Sequence, residues 1–191
     1  MSRIFVAGAT GVLGRAVVPM LVGTGHAVVG TTRSQEKTEA IAAAGAEPVV
    51  VDAYDRDGLA VAVERARPEL VVSLLTDLAG GDFKANSRLR REAMPNVVEA
   101  AIGAGARRFV TESIAFPAGA EGDSAVAAME RLALETPELD GLVLRFGRLY
   151  GPGTWHEHDL PEPPHVSVEA AAHATVAAIE SGATGVLEVV D

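Results

Sequence analysis

Arg3-Ile-Phe-Val-Ala-Gly-Ala-Thr-Gly-Val-Leu-Gly-Arg-Ala-Val-Val18 decides the fold. Ile4 to Ala7 is a short apolar run stopped at once by Gly8, the pattern of a strand buried on both faces of a parallel sheet. Gly8, Gly11 and Gly14 follow at three-residue spacing, and apolar positions of helical period (Val12, Leu13, Ala16, Val17, Met20, Leu21) begin inside them. Strand, glycine turn and helix in that order make the context of a phosphate site. Glycine lets the backbone turn tightly and approach a pyrophosphate, while free amides and the positive end of the helix dipole face the anion. Three glycines alone also make a ligand-free turn. Their position between this strand and this helix points to a dinucleotide, with Gly8, Thr10, Gly11, Val12, Leu13 and Gly14 as its contacts.

The rest of the composition fits one such domain. With 191 residues, 48% of them hydrophobic, the chain can bury one substantial core, and a second large domain will not fit. A net charge of -10 argues against a nucleic-acid or anionic-membrane surface. Cysteine is absent, which excludes disulfides, thiol nucleophiles and cysteine zinc sites and suits a reducing compartment. The first residues lack a charged leader with a long apolar segment, and no run approaches about 18 apolar residues, so the expectation is a soluble, cytoplasmic protein.

Gly8-Ala-Thr-Gly-Val-Leu-Gly14 resembles the amino-terminal fingerprint of the short-chain dehydrogenase/reductase superfamily, above all its extended and atypical branches, the NAD-dependent epimerase/dehydratase-like and NmrA-like proteins. The resemblance implies a doubly wound, Rossmann-like α/β domain with a parallel sheet. After a helix ended by Gly23-Thr-Gly25, His26 to Thr31 reads as the second strand. About 20 residues past the glycines NAD binders place an acid on the adenosine ribose, and NADP binders an Arg on its phosphate. Thr32 stands at the acidic position, with Arg33 after it and Lys37 one turn on, so NADP is favoured and NAD is the alternative. Arg33 also reads as a solvated loop residue ahead of a Ser34 helix cap.

Ser34 to Ala44 is the second helix and Glu47 to Asp52 the third strand. The resemblance puts Asp52, with Ala53 beside it, on the adenine edge; Asp52 is otherwise a loop or cap residue. Asp55 caps a helix that runs to Ala66 before Pro68. Strand four, Glu69 to Leu75, leads into Thr76-Asp77-Leu78-Ala79-Gly80-Gly81. Leu74, Leu75 and Thr76 are cofactor contacts by position, because ligands of doubly wound sheets gather beyond the carboxyl ends of the strands.

Lys84 to Ala104 has helical period but carries Pro95, which predicts a bend or two pieces. Pro95 to Val110 resembles the epimerase-family stretch leading into strand five, and the position where that family carries a supporting Asn holds Arg90. Arg88, Arg90 and Arg91 form a basic cluster, either a solvated face or an anionic substrate clamp. Strand five, Arg108 to Glu112, delivers Ser113, which by the resemblance bonds the substrate oxygen and otherwise is a turn former.

There the pattern breaks. These enzymes place a Tyr four residues before a Lys, whose charge lowers the phenol pKa from about 10 so that it can exchange a proton. The matching positions hold Asp123 and Ala127, and neither Tyr54 nor Tyr150 is followed by Lys37 or Lys84 at that spacing. Gly141 to Thr154 resembles strand six and the loop lining the nicotinamide and substrate junction. Tyr150 is then the one phenol in reach of a substrate, or else packs beneath the loop. His156, His158 and Asp159 are too close together on a proline-rich loop to set tetrahedral geometry, so no metal is expected.

The segment of about 147–165 is short beside the family's substrate insertion. An alanine-rich helix, Glu169 to Ser181, and a last strand, Gly185 to Val190, complete a single domain over 1–191. Three functions fit: an atypical reductase or epimerase of a small carbonyl or sugar-like compound, with Ser113 and Tyr150 (or His156) at the chemistry; a redox-sensing, cofactor-binding partner protein; and a non-redox lyase or isomerase. A pocket open enough to borrow a lid predicts a homodimer.

Overall fold

The computed structural model describes residues 1–77 and 83–191; the expected loop positions Leu78, Ala79, Gly80 and Gly81 lie outside them. Strand and helix alternate: β1 (Arg3–Ala7), α1 (Val12–Gly23), β2 (Ala27–Thr32), α2 (Thr38–Ala43), β3 (Glu47–Val50), α3 (Arg56–Ala66) and β4 (Leu70–Ser73). Then come α4 (Phe83–Arg88), α5 (Met94–Gly103), β5 (Arg108–Ile114), α6 (Gly119–Glu135), β6 (Asp140–Phe146), β7 (Arg148–Tyr150), β8 (His165–Ser167), α7 (Val168–Glu180) and β9 (Gly185–Val189).

Seven strands form one parallel sheet in the order β3-β2-β1-β4-β5-β6-β9. Chain order reverses at the β1/β4 seam, and in such sheets the crevice outside that seam takes the ligand. Strand registers bring Phe5 beside Val29 and Val71, while Val6 lies beside Gly30 and Val72. Alternation then sends the two rows to opposite faces. One face carries Ile4, Val6, Val28, Val72 and Val110 in the same cluster as Leu13, Val17 and the α7 alanines Ala171 and Ala172. The small side chains let α7 lie close to α1 and the sheet. The other face packs Phe5, Val29, Val71 and Phe109 against Leu59, Val63, Met94, Val97 and Met129 of α3, α5 and α6. Phe109 is fully buried, and truncating it to Ala would cost about 3–5 kcal/mol.

Local signals account for most boundaries. Asp55 accepts a hydrogen bond from the Gly58 amide at 3.1 Å and caps α3, which ends on Arg67 in the left-handed region (φ 46) before Pro68. Ser167 caps α7 through the Ala170 amide at 3.0 Å, so that helix begins one residue before its expected start. Ser34, by contrast, makes no side-chain cap bond. A single 3-10 turn over Gln35–Lys37 precedes a shorter α2, which corrects the expected helix start. β3 stops at Val50 and β4 at Ser73, leaving Asp52, Ala53, Leu74 and Leu75 in the loops beyond.

The stretch around Pro95 resolves as two helices joined by a π-helical turn, Leu89–Ala93. Proline has no amide to offer the Arg91 carbonyl and its ring crowds that turn, which a widened turn relieves. The three arginines do not form one basic face. Arg88 pairs with Glu92 at 2.8 Å and lies over the Tyr54 ring, Arg91 bonds Ser124 at 3.0 Å, and Arg90 is buried. Among the described residues no helix is long and apolar enough to cross a membrane.

Candidate functional site

The glycine loop between β1 and α1 is built around two steric demands. Gly8 has φ +90, and a Cβ there would stand 2.5 Å from the Leu74 carbonyl oxygen of the neighbouring β4 end. A Cβ on Gly14 would collide with the Gly8 carbonyl, so the helix can pack onto the turn only with glycine at that position. Gly11 is different. Its amide donates to the Gly8 oxygen at 3.0 Å, but a Cβ would find only that oxygen, at 3.3 Å, and Leu74 at 3.9 Å. The fold therefore needs Gly8 and Gly14, whereas a bare Gly11 mainly keeps the surface open. It sits at the start of α1, which has no side-chain cap and no acid in its first turn. Exposed amides, positive helix end and missing side chain together fit a diphosphate.

The other expected cofactor positions line the same carboxyl edge of the sheet. The Gly8 amide donates to Thr31 Oγ1 at 3.2 Å, and Thr10 Oγ1 lies 3.4 Å from Thr32 Oγ1, which accepts from the Ser34 amide at 3.1 Å. Arg33 is exposed and makes no hydrogen bond or ion pair among the described residues. Asp52 is exposed and accepts from the Tyr54 amide at 3.0 Å, and the Ala53 carbonyl accepts from Asn96 Nδ2 at 2.9 Å. The Leu74 amide donates to Ala7 at 2.8 Å; Leu74 is buried, Leu75 half-buried and Thr76 exposed.

Ser113 sits in a buried ionic group at the end of β5. Its Oγ donates to Glu130 Oε1 at 2.6 Å, and Arg145 holds the same carboxylate with Nε at 2.9 Å and Nη2 at 2.6 Å. Burial would raise the Glu130 carboxyl, but the bonds from Arg145 and Ser113 outweigh it and hold the group below its ordinary value. Arg90, 7% exposed, lies in the field of Glu112 and Glu130, and burial pulls its pKa down. Burial pushes Glu112 up to about 7 against the pull of Arg90. An open cleft of about 290 Å³ adjoins this group, lined by Phe116, Asp123, Ala127, Glu130, Arg145 and Glu188. The two positions where the Tyr and Lys were expected thus face one cleft, carrying a carboxylate and a methyl.

Ser113 and Tyr150 do not share a partner. The Tyr150 hydroxyl donates to Asp191 at 2.9 Å, its ring meets His165 edge-on at 5.8 Å, and the Asp191 bond raises the phenol pKa. His156 Nδ1 lies 3.0 Å from Asp159, and no group of three or more His, Asp or Glu among the described residues could hold a metal ion. Sequence reasoning had not singled out Glu130 or Glu112. The available signal for Glu130 was an acid within the apolar stripe Ala125, Met129, Ala133 of α6; Glu112 lies in a strand with Arg108, Thr111 and Ser113 and carried no such signal.

Residues 8–180 match a family described as NAD(P)H-binding. A Streptomyces 3-diazoavenalumate denitrifying reductase is 40% identical over 235 residues, covering 99% of this chain and 76% of the relative. Among solved structures, Bordetella bronchiseptica WbmH in complex with NAD+ superposes with a TM-score of 0.81 at 20% identity, over 100% of this chain and 76% of that one. Thermus thermophilus UDP-glucose 4-epimerase with NAD gives 0.80 at 20% identity, over 98% and 77%. These last two share the Rossmann-like fold. With its glycine loop, its seven-stranded parallel sheet and a 40% identical reductase as relative, the chain belongs to the NAD(P)H-binding family of the short-chain dehydrogenase/reductase fold.

Proposed function

We propose that this protein is an NAD(P)H-dependent reductase whose substrate accepts hydride without needing a proton, a diazo-type cation being the class that fits. The observation that carries this is the cleft beside Ser113, where Asp123 and Ala127 stand at the Tyr and Lys positions and three carboxylates face one guanidinium. Reducing a carbonyl to an alcohol takes a hydride and a proton, and so needs an acid at the site. Converting an aryldiazonium ion to an arene takes hydride alone: the carbon–nitrogen bond breaks, a carbon–hydrogen bond forms, and dinitrogen leaves. Bound NAD(P)H supplies that hydride and is released oxidised. Three carboxylates converging on one cleft, Glu130 among them held by Ser113 and Arg145, draw a cation toward it.

Each residue then has a task. Gly8, Thr10, Gly11, Val12, Leu13 and Gly14 hold the diphosphate; Thr32 and Arg33 take the 2′-phosphate of NADP; Asp52 and Ala53 meet the adenine; Leu74, Leu75 and Thr76 flank the nicotinamide half. Ser113 and Arg145 fix the Glu130 carboxylate in the cleft wall. Tyr150, bonded to Asp191, is not called on as an acid. The Streptomyces relative supports the reading, since its name describes removal of nitrogen from a diazo compound. Its matched span of 235 positions exceeds the 191 residues here.

The test offers NADPH with benzenediazonium or benzaldehyde, following NADPH absorbance and gas release. Diazonium reduction above the uncatalysed rate, with one dinitrogen per NADPH and no aldehyde reduction, is expected. Turnover of the aldehyde alone refutes the proposal. A second reading, a cofactor-binding sensor, draws on the Ser113 and Tyr150 hydroxyls, both already engaged within the chain; tight NADPH binding with no turnover of either compound would establish it.

A further inference from the structure

Phe83, the first residue of α4, and Trp155, in the loop after β7, each leave 59% of their surface exposed, yet they meet each other edge to face, with centroids 6.1 Å apart and planes at 89°. They come from opposite banks of the crevice. α4 packs against α6, the helix that carries Asp123, Ala127 and Glu130. Trp155 is two residues from Gly153, whose backbone lies against Arg15 and Val12 in the first turns of α1; a Cβ there would stand 2.8 Å from Arg15 Nη2. The contact therefore arches from the glycine-loop bank to the α6 bank, across the carboxyl edge where the cofactor and its reaction partner belong.

We infer that Phe83 and Trp155 form a receiving corner for an aromatic ring of the substrate, which makes the preferred substrate an aryl cation. This rests on the hydride-acceptor site proposed above. Two large rings set at a right angle offer one face and one edge, so a third ring can stack offset on one and meet the other edge-on, both favoured arrangements at such separations. Two aromatic side chains this exposed, convergent from separate segments, leave apolar area that a bound ring would cover. The charge of the cleft selects the cationic end of such a ligand, and the corner selects its flat end.

Trp155 is the single tryptophan of the chain, so its emission reports the corner directly. Protein loaded with NADP+ is titrated with benzylamine and with cyclohexylmethylamine, two ammonium ions of similar size of which only the first is aromatic. Benzylamine should quench or shift the emission saturably and bind about three- to tenfold tighter than its saturated counterpart. Phe83→Ala and Phe83→Leu should each remove that preference and leave NADP+ affinity unchanged. Equal affinity of the two amines, no saturable response to benzylamine, or a preference that survives both substitutions overturns the inference. The hydride-acceptor reading fails separately, on the diazonium assay, and the amine preference does not depend on that result.

Discussion

Replacing Glu112 with Gln should change how stability responds to pH. Burial holds this carboxyl at about 7 in the folded chain, against an ordinary value of 4.5, although Arg90 pulls it the other way. An acid whose pKa rises on folding keeps its proton in the native state after the unfolded chain has released it. Its contribution is intact below about pH 4.5, and is lost as pH climbs to about 7. The interval corresponds to about 3 kcal/mol of native stability, a sizeable part of the 5–15 kcal/mol typical of a domain, roughly. Gln resembles the protonated acid and does not titrate. Native and variant chains should therefore be alike near pH 4, and the variant should gain about 3 kcal/mol on the native chain by about pH 8. Urea unfolding followed by Trp155 emission at stepped pH measures the gap. Removing the guanidinium with Arg90→Met should move the native decline to higher pH, because Arg90 is what opposes the rise. A gap that stays flat across the range, within about 0.5 kcal/mol, would refute the burial of Glu112 as the cause.

The glycine loop supplies a matched pair of tests. Gly11→Ala should cost less than about 1 kcal/mol in stability and yet weaken NADPH binding at least about tenfold by calorimetry. Gly14→Ala should lose both, because its methyl strikes the Gly8 carbonyl. Arg33→Ala should weaken NADPH about tenfold or more and leave NADH affinity unchanged, the loss expected when a charged hydrogen bond to phosphate is removed; equal losses for both cofactors would assign Arg33 to the loop surface.

The fold was legible because its determinants are local. A buried strand, Gly8, Gly11 and Gly14, and a helical stripe lie within sixteen residues, and later units repeat the same apolar logic, two of them with side-chain caps at Asp55 and Ser167. Pro95 also announced its interruption. The edge where the candidate cofactor positions gather followed from the same local signals, since carboxyl ends of parallel strands collect at one side whatever their side chains. The cleft beside Ser113 was harder to see. Ser113 meets Glu130 seventeen positions on, and Glu130 meets Arg145 fifteen further on, so the group exists only once β5, α6 and β6 are packed. Arg90 was visible as a charge but not as a buried one, since a cluster of three arginines reads as surface until the helix turn assigns each a direction. Phe83 and Trp155 carried no signal at all: two aromatic residues far apart in sequence say nothing of a shared corner until α1 and α6 fix their banks.

The widened turn at Leu89–Ala93 has a consequence for how this protein should be compared with its relatives. One extra residue in a single turn rotates everything upstream by about 100° relative to an uninterrupted helix. The compass bearing of Phe83 is thus set six or more residues away, by a local slip in winding rather than by its own neighbours. A relative that kept every side chain but dropped one residue from this turn would swing its first ring away from Trp155, and could lose the aryl preference with no change at any residue that touches the ligand.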